Sequence, residues 1–291
     1  MRHLLVAVSI AACARQDPHA DETARRITAL EQQIAEQQRH IAALETEKTT
    51  ATEMGAILDN LETLTERIVK LEGKPAAVKR REPDRTAVYS VALGKSPAIG
   101  PAKAKVTMVM AMDFACPYCR RAYDTVDDLR KKYGNDLRVV YKAMIVHPQV
   151  ATHPALAACA ANHQGKWREM ADLLWKKSFD THDFTDSTVD GFATEAKLDV
   201  ARYQKDITGA CVQEIKDEQA QMVKLGVGAT PSFFINGRFM AGALPQADFE
   251  KLIDEEMAKA TAVIGKGVKA DKYYDQEIVA KGLPELAPPT P

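Results

Sequence analysis

The sequence predicts an α/β domain carried behind a long amphipathic helix. Three observations lead there. Between Val106 and Ile145 a strand-like apolar run, a helix and a second apolar run follow one another, the order of a βαβ unit. Further on, two short apolar runs meet at Asn236-Gly237, the dipeptide of a tight hairpin. Upstream, apolar residues recur three and four apart from Ile27 to Leu71, as in a heptad repeat.

The chain has 291 residues, room for one or two domains with a hydrophobic core. Lys and Arg number 39 against 40 Asp and Glu, so nothing in the charge balance calls for a nucleic-acid partner. No apolar run approaches the ~18 residues of a membrane span.

"MRHLLVAVSIAAC" places Arg2 before an apolar stretch from Leu4 to Ile10, then Ala11, Ala12 and Cys13. That is the order of an export signal over residues 1–12. Its end resembles the lipobox of bacterial lipoproteins, in which the cysteine, here Cys13, is acylated and anchors the chain to a membrane. The competing reading is a short buried element with a chance cysteine. Setting Cys13 aside leaves Cys116, Cys119, Cys159 and Cys211, an even number, as suits an exported chain in an oxidising compartment.

After a tether (13–26), the seam runs Ile27, Leu30, Ile34, Gln37, Ile41, Leu44, Lys48, Ala51. It slips by one residue beside Gly55 and resumes through Met54, Ile57, Leu61, Leu64, Ile68 and Leu71. A helix over 27–72 would be on the order of 65–70 Å long with one apolar stripe. Such a stripe needs a partner, and a second copy of itself is the reading favoured: a coiled-coil homo-oligomer through residues 27–71. The alternative is a helical stalk. "GKPAAVKRREPDR" follows, polar and broken by two prolines, a linker over 73–86. Its basic cluster Lys79, Arg80 and Arg81 reads as solvated.

The α/β domain is expected over 87–263. Alternation in "AVYSVALG" opens it, and a strand runs from Val106 to Met112. A helix then begins at the cysteine motif, with Pro117 in its first turn and Gly134 as its stop. "DLRVVYKAMI" is the second buried strand. Helical patterns occupy about 155–177 and 200–225, and a last amphipathic helix runs from Gln246 to about Val263. The segment 264–291, ending in "LAPPTP", reads as a frayed tail.

The chemistry is concentrated in "DFACPYCRRAYDTV". Three readings compete for Cys116 and Cys119. A zinc site would need a second cysteine or histidine pair at close spacing, and Cys159 and Cys211 are isolated in sequence. A purely structural disulfide here closes a very small loop and constrains little of the unfolded chain. A reactive dithiol has a direct rationale. The helix N-terminus presents unpaired N–H groups and positive potential, which stabilise a thiolate at Cys116. An ordinary thiol, of pKa ~8.5, is only a few per cent ionised at neutral pH, whereas such motifs reach roughly 3.5–7.5. Cys116 is then the nucleophile, and Cys119, one turn in, resolves the mixed disulfide.

From about Val88 to Met257 the chain resembles the DsbA-like branch of the thioredoxin superfamily. The segments that carry the likeness are "VTMVMAMDFACPYCRRAYDTV", "LAACAANHQGKWREMADLLW" and "LGVGATPSFFINGRFMAGA". The resemblance implies a thioredoxin fold with an inserted helical domain at about 150–225, preceded here by the N-terminal coiled-coil helix. It implies a thiol–disulfide oxidoreductase without a cofactor or metal, acting on exported proteins with cysteines and served by a membrane redox partner in a bacterial envelope. Thr230-Pro231 matches the family's cis-proline dipeptide. With Pro117 and Tyr118 it would contact the substrate chain; on the residues alone, Pro231 is equally an ordinary turn proline. Phe233 and Phe234 read as core. Some relatives carry a second disulfide in the helical insertion, which would pair Cys159 with Cys211 if their Cα atoms lie within ~7 Å; unpaired, they are two small buried residues. His147, His153, His163 and His182 show no metal-ligand spacing and read as turn or surface residues.

One departure stands out. The family's buried acidic residue, six positions before the first cysteine, is Met110 here. Asp113 lies on the opposite strand face, so the proton acceptor for Cys119 would be water or Lys142. Strong oxidases of the branch carry Pro-His between the cysteines and Val before the cis-proline. Tyr118 and Thr230 instead resemble isomerases. The favoured expectation is isomerase or reductase character, with a disulfide-donating oxidase, or a tethered binding module whose redox site is dispensable, as the alternatives.

Overall fold

The computed structural model describes residues 82–286 and, upstream, five helical positions: Thr28, Ala29, Gln32, Gln33 and Glu36. The signal segment, Cys13, most of the heptad region and the basic cluster lie outside the described residues. The chain divides into two units, Met1–Lys79 and Arg80–Pro291. The second unit holds all four remaining cysteines and the α/β domain.

Its centre is a five-stranded sheet of order β1-β3-β2-β4-β5. The strands are β1 (Ala98–Ile99), β2 (Val106–Met112), β3 (Leu137–Ala143), β4 (Ser232–Ile235) and β5 (Arg238–Ala241). β2 and β3 are parallel, in register from Val106↔Leu137 to Met112↔Ala143. The crossover between them is α1 (Pro117–Tyr133) and a short 3₁₀ turn. β4 runs antiparallel to β2, and β5 antiparallel to β4. Asn236 and Gly237 turn that hairpin with φ of 43° and 79°, the left-handed pair that a two-residue loop requires.

Every residue of β2 is buried, because both faces of the sheet are covered. Met108, Met110 and Met112 face one cluster, shared with α1 and the last long helix, α7 (Gln246–Ile264). Val109 and Ala111 face the other, with Val140, Met222 and Phe234. Each of the Met, Val and Phe side chains among them contributes roughly 1.5–3 kcal/mol on burial. Phe233 and Phe234 point into opposite clusters and are fully buried.

Five helices separate β3 from β4: α2 (Pro148–Asn162), α3 (Trp167–Leu173, continued by a π-turn to Phe179), α4 (Asp186–Glu195), α5 (Val200–Thr208) and α6 (Ala210–Lys224). The apolar patterns at 155–177 and 200–225 mark only parts of this run. α4 has too little periodicity over ten residues to be read in advance. Cys159 on α2 and Cys211 on α6 form a disulfide, with Cα atoms 5.8 Å apart.

Two expectations at the domain's ends are corrected. The alternating segment 87–94 makes only isolated bridges, Val88 to Arg238 and Tyr89 to Leu283; the edge strand proper is β1. The segment after Gly265 is not frayed up to Leu286. α8 (Ala270–Tyr273) and a π-turn through Val279 bury Tyr273, Tyr274 and Ile278. The Tyr274 hydroxyl donates to the Val91 carbonyl at 2.9 Å, and Leu283 and Ser90 donate backbone bonds to the Val88 and Leu283 carbonyls. Aromatic side chains placed two turns past the stop signal fold this end back.

Candidate active site

β2 delivers the chain to the site, and α1 receives it. Between them Asp113 folds a tight turn: its carboxylate accepts from the Ala115 N–H at 2.7 Å, and its carbonyl from the Cys116 N–H at 3.1 Å. Cys116 occupies the N-cap of α1 and Pro117 its first turn. An N-cap residue presents its side chain to the orphan N–H groups of the next turn. Here that side chain is a sulfur.

Both thiols are free and buried, yet they are driven in opposite directions. The Cys119 thiol, hydrogen-bonding to the Cys116 sulfur, lowers the Cys116 pKa to about 5 against the opposition of burial; the Thr230 side chain and the Cys119 and Tyr118 N–H groups add to it. Burial, and then the Cys116 charge, push the Cys119 thiol up. At neutral pH one sulfur is ionised and its neighbour keeps its proton.

Opposite them, the Thr230–Pro231 peptide bond is cis. In its thiol form Cys116 lies 3.4 Å from the Thr230 carbonyl oxygen. The Thr230 hydroxyl faces both sulfurs and is otherwise without a hydrogen-bond partner. Tyr118 is 55% exposed at the rim, with the Arg121 guanidinium 4.8 Å over its ring. The structure thus brings Cys116, Cys119, Thr230 and Pro231 together, with Pro117 and Tyr118 on the outer surface.

Met110 sits in the core beside Phe233 and offers no proton acceptor. Lys142 does not replace it. Its parity on β3 sends it to the face opposite Cys119, where it donates to Ser96 Oγ at 2.8 Å and the Leu93 carbonyl at 3.3 Å. Asp113 has a role the sequence did not reveal. Its fully buried carboxylate also accepts from the Val146 and His147 N–H groups at 2.7 and 2.8 Å, tying the end of β2 to the start of α2.

The histidine expectations hold for His147 and His182, and His163 also sits in a turn, half-buried; His153 departs from them. His153 lies within α2, its Nε2 2.7 Å from Asp190. His163 caps that helix against two carboxylates: Nδ1 is 3.0 Å from Asp206 and Nε2 3.0 Å from Glu214. The missed signal was helical spacing, four residues from Cys159 to His163 and three from Cys211 to Glu214.

A cis-proline loop facing a split-acidity dithiol, on this sheet order, defines a thioredoxin-like fold. The thioredoxin family model matches residues 92–255, more than half of the chain, and the chain belongs to that family. Among solved structures it is similar to a thioredoxin-like oxidoreductase from Silicibacter pomeroyi DSS-3, at 28% identity and a TM-score of 0.50, covering 56% of this chain and 92% of that one. Its fold also matches BdbD from Bacillus subtilis, with a TM-score of 0.55 at 16% identity, covering 61% of this chain and all of that one. A curated relative, the Na(+)/H(+) antiporter NhaA of Herminiimonas arsenicoxydans, is 34% identical over 145 residues, 50% of this chain and 23% of the relative. The chain spans about a quarter of the length of the curated relatives it matches. Among the described residues no helix is long and apolar enough to cross a membrane.

Proposed function

We propose that this chain is an exported thiol–disulfide oxidoreductase that exchanges disulfides with cysteine-containing proteins. The observation that carries the reading is the opposed acidity of the two thiols. Cys116, as thiolate, attacks one sulfur of a substrate disulfide, and the other sulfur leaves as a substrate thiolate. Cys119 then passes its proton to the substrate thiolate just released and attacks the Cys116 sulfur of the mixed disulfide. The second substrate thiol is released, and the Cys116–Cys119 disulfide remains. Thr230 and Pro231 would hold the substrate backbone beside Cys116.

Isomerase or reductase character is the favoured direction, supported by Tyr118 between the cysteines and Thr230 before the proline. The acidity of Cys116 favours a second reading. A pKa of about 5 stabilises the reduced pair and so strengthens it as a disulfide donor. The Cys116–Cys119 reduction potential separates them: a value near ~−120 mV marks an oxidase, and one near ~−180 mV or below an isomerase or reductase. A scrambled-disulfide refolding assay adds the decisive readout, since fast oxidation of reduced peptide with no reshuffling excludes the isomerase. The remaining proposals rest on the sequence: lipid attachment at Cys13, assembly through residues 27–71, and a bacterial envelope location with a membrane redox partner.

A further inference from the structure

The second cysteine pair sits in surroundings that a structural disulfide does not require. Cys159, in the last turn of α2, and His163, its C-cap, lie one turn apart, as do Cys211 and Glu214 on α6, so each helix turns two donors toward the other. The Cys159 and Cys211 sulfurs and a ring nitrogen of His163 all fall within 4.8 Å of one another. Glu214 Oε2 is 3.0 Å from His163 Nε2 and 3.8 Å from Cys159 Sγ, and Cys159 Sγ is 3.9 Å from His163 Nε2.

We propose that, once reduced, Cys159 and Cys211 bind a zinc ion together with His163 and Glu214. Ligands at ~2.3 Å for sulfur and ~2.0–2.1 Å for nitrogen and oxygen stand ~3.5 Å (S to N or O) and ~3.3 Å (N to O) apart around a tetrahedral ion. The three observed separations lie within a few tenths of an ångström of those edges, before any ion draws the groups together. The outer contacts suit the same purpose. Asp206 Oδ2 holds His163 Nδ1 at 3.0 Å, the carboxylate–imidazole arrangement that orients a ligating histidine and turns Nε2 to the metal. Lys95 Nζ takes Glu214 Oε1 at 2.8 Å, leaving Oε2 toward the sulfurs. A cleft lined by Lys95, Asn162, Cys159 and Glu214 provides the entry.

The chemistry balances with a dithiol as reductant. The dithiol passes two electrons and two protons to the Cys159–Cys211 bond and leaves as a disulfide; Zn2+ then displaces the two thiol protons and gains two thiolate bonds. In the oxidised chain a covalent bond joins α2 to α6, and in the reduced chain the ion joins the same two helices. The inference goes beyond the exchange activity and does not depend on it.

The test uses the full chain with Cys13, Cys116 and Cys119 replaced by serine, which leaves Cys159 and Cys211 as its cysteines. A phosphine reduces the pair and departs as phosphine oxide with oxygen from water. Zn2+ binding is measured by competition with a chromophoric chelator. Co2+ in its place reports thiolate ligation through charge-transfer bands and tetrahedral geometry through its d–d bands. Each variant is first shown to be folded in its oxidised form. The expected result is one equivalent of zinc bound by the reduced chain and none by the oxidised chain. His163→Ala and Glu214→Gln each weaken binding at least tenfold, and Asp206→Asn weakens it by roughly 10-fold through the imidazole. The inference is overturned if reduced and oxidised chains bind zinc alike. It is equally overturned if His163→Ala and Glu214→Gln together leave the affinity unchanged, or if the reduced chain unfolds and zinc does not restore it.

Discussion

The two cysteine pairs of this domain are made of the same atoms and do opposite things. Cys116 and Cys119 are three residues apart at a strand-to-helix junction, both free. Cys159 and Cys211 are 52 apart, on separate helices, and bonded. Chain-entropy arithmetic at these separations gives the long loop about 4 kcal/mol of stabilisation and the short one about 2. The first pair therefore gains little from being closed, and the N–H groups and neighbouring thiol that favour its thiolate make it easy to open. Proximity in sequence makes a reagent, and distance in sequence makes a brace.

The sharpest way to break that contrast is to remove the nucleophilic sulfur of the first pair and, separately, both sulfurs of the second. Cys116→Ser should lower exchange with a disulfide-bonded peptide on the order of 10³-fold or more, with Tm nearly unchanged. If more than a tenth of the activity survives, the reactive pair is elsewhere. Cys159→Ala with Cys211→Ala should do the reverse. It should cost about 2–4 kcal/mol and lower Tm by roughly 5–15 °C, while Cys116 alkylates at its former rate. Calorimetry and an alkylation time course read both halves.

Asp113 serves the reactive pair by holding its turn to the start of α2. Asp113→Ala leaves three backbone donors without their acceptor, and a loss of about 3 kcal/mol is expected in denaturant unfolding. A smaller loss would mean that water replaces the carboxylate.

Acidity sharpens the comparison further. The folded pKa of Cys116 is depressed, to about 5. Its thiolate therefore stabilises the reduced, folded chain fully above the ordinary thiol range near ~8.5, and that contribution is lost as pH falls through about 5. The reduction potential should follow, changing by ~59 mV per pH unit below that value and by ~30 mV above it, because reduction then takes up one proton fewer. A slope that stays at ~59 mV through neutral pH would place Cys116 among ordinary thiols. The smallest effect belongs to the rim. Tyr118→Ala removes an exposed ring and its contact with Arg121, worth about 0.5–1 kcal/mol. It should alter the KM for a peptide substrate by a few-fold and leave the Cys116 titration in place.

Much of the fold was readable in advance, for reasons that can be located. β2, α1 and the hairpin at Asn236 announced themselves because periodicity, Pro117, Gly134 and the turn dipeptide agree with one another. The reactive pair was readable because its causes are local: a helix end and a neighbour one turn away. The histidine at position 163 was not, because its partners Asp206 and Glu214 come from other helices and only the packing of α2 against α5 and α6 assembles them. Asp113 was read by its strand face alone, and its donors at Val146 and His147 lie across a loop that no spacing rule reaches. β1 is two residues long, too short to leave a pattern.

Val88 and Tyr89 enter the domain between the Gly237 turn and Leu283, and Gly282 passes so close that an added Cβ would lie 2.6 Å from the Ser90 nitrogen. The two ends of the fold are thus latched to each other, beyond both limits of the family match at 92 and 255. A fragment trimmed to those limits would discard both halves of the latch, and a bulky fusion just after residue 283 would pry it open. The true extent of this domain is set by that latch rather than by the part it shares with its relatives.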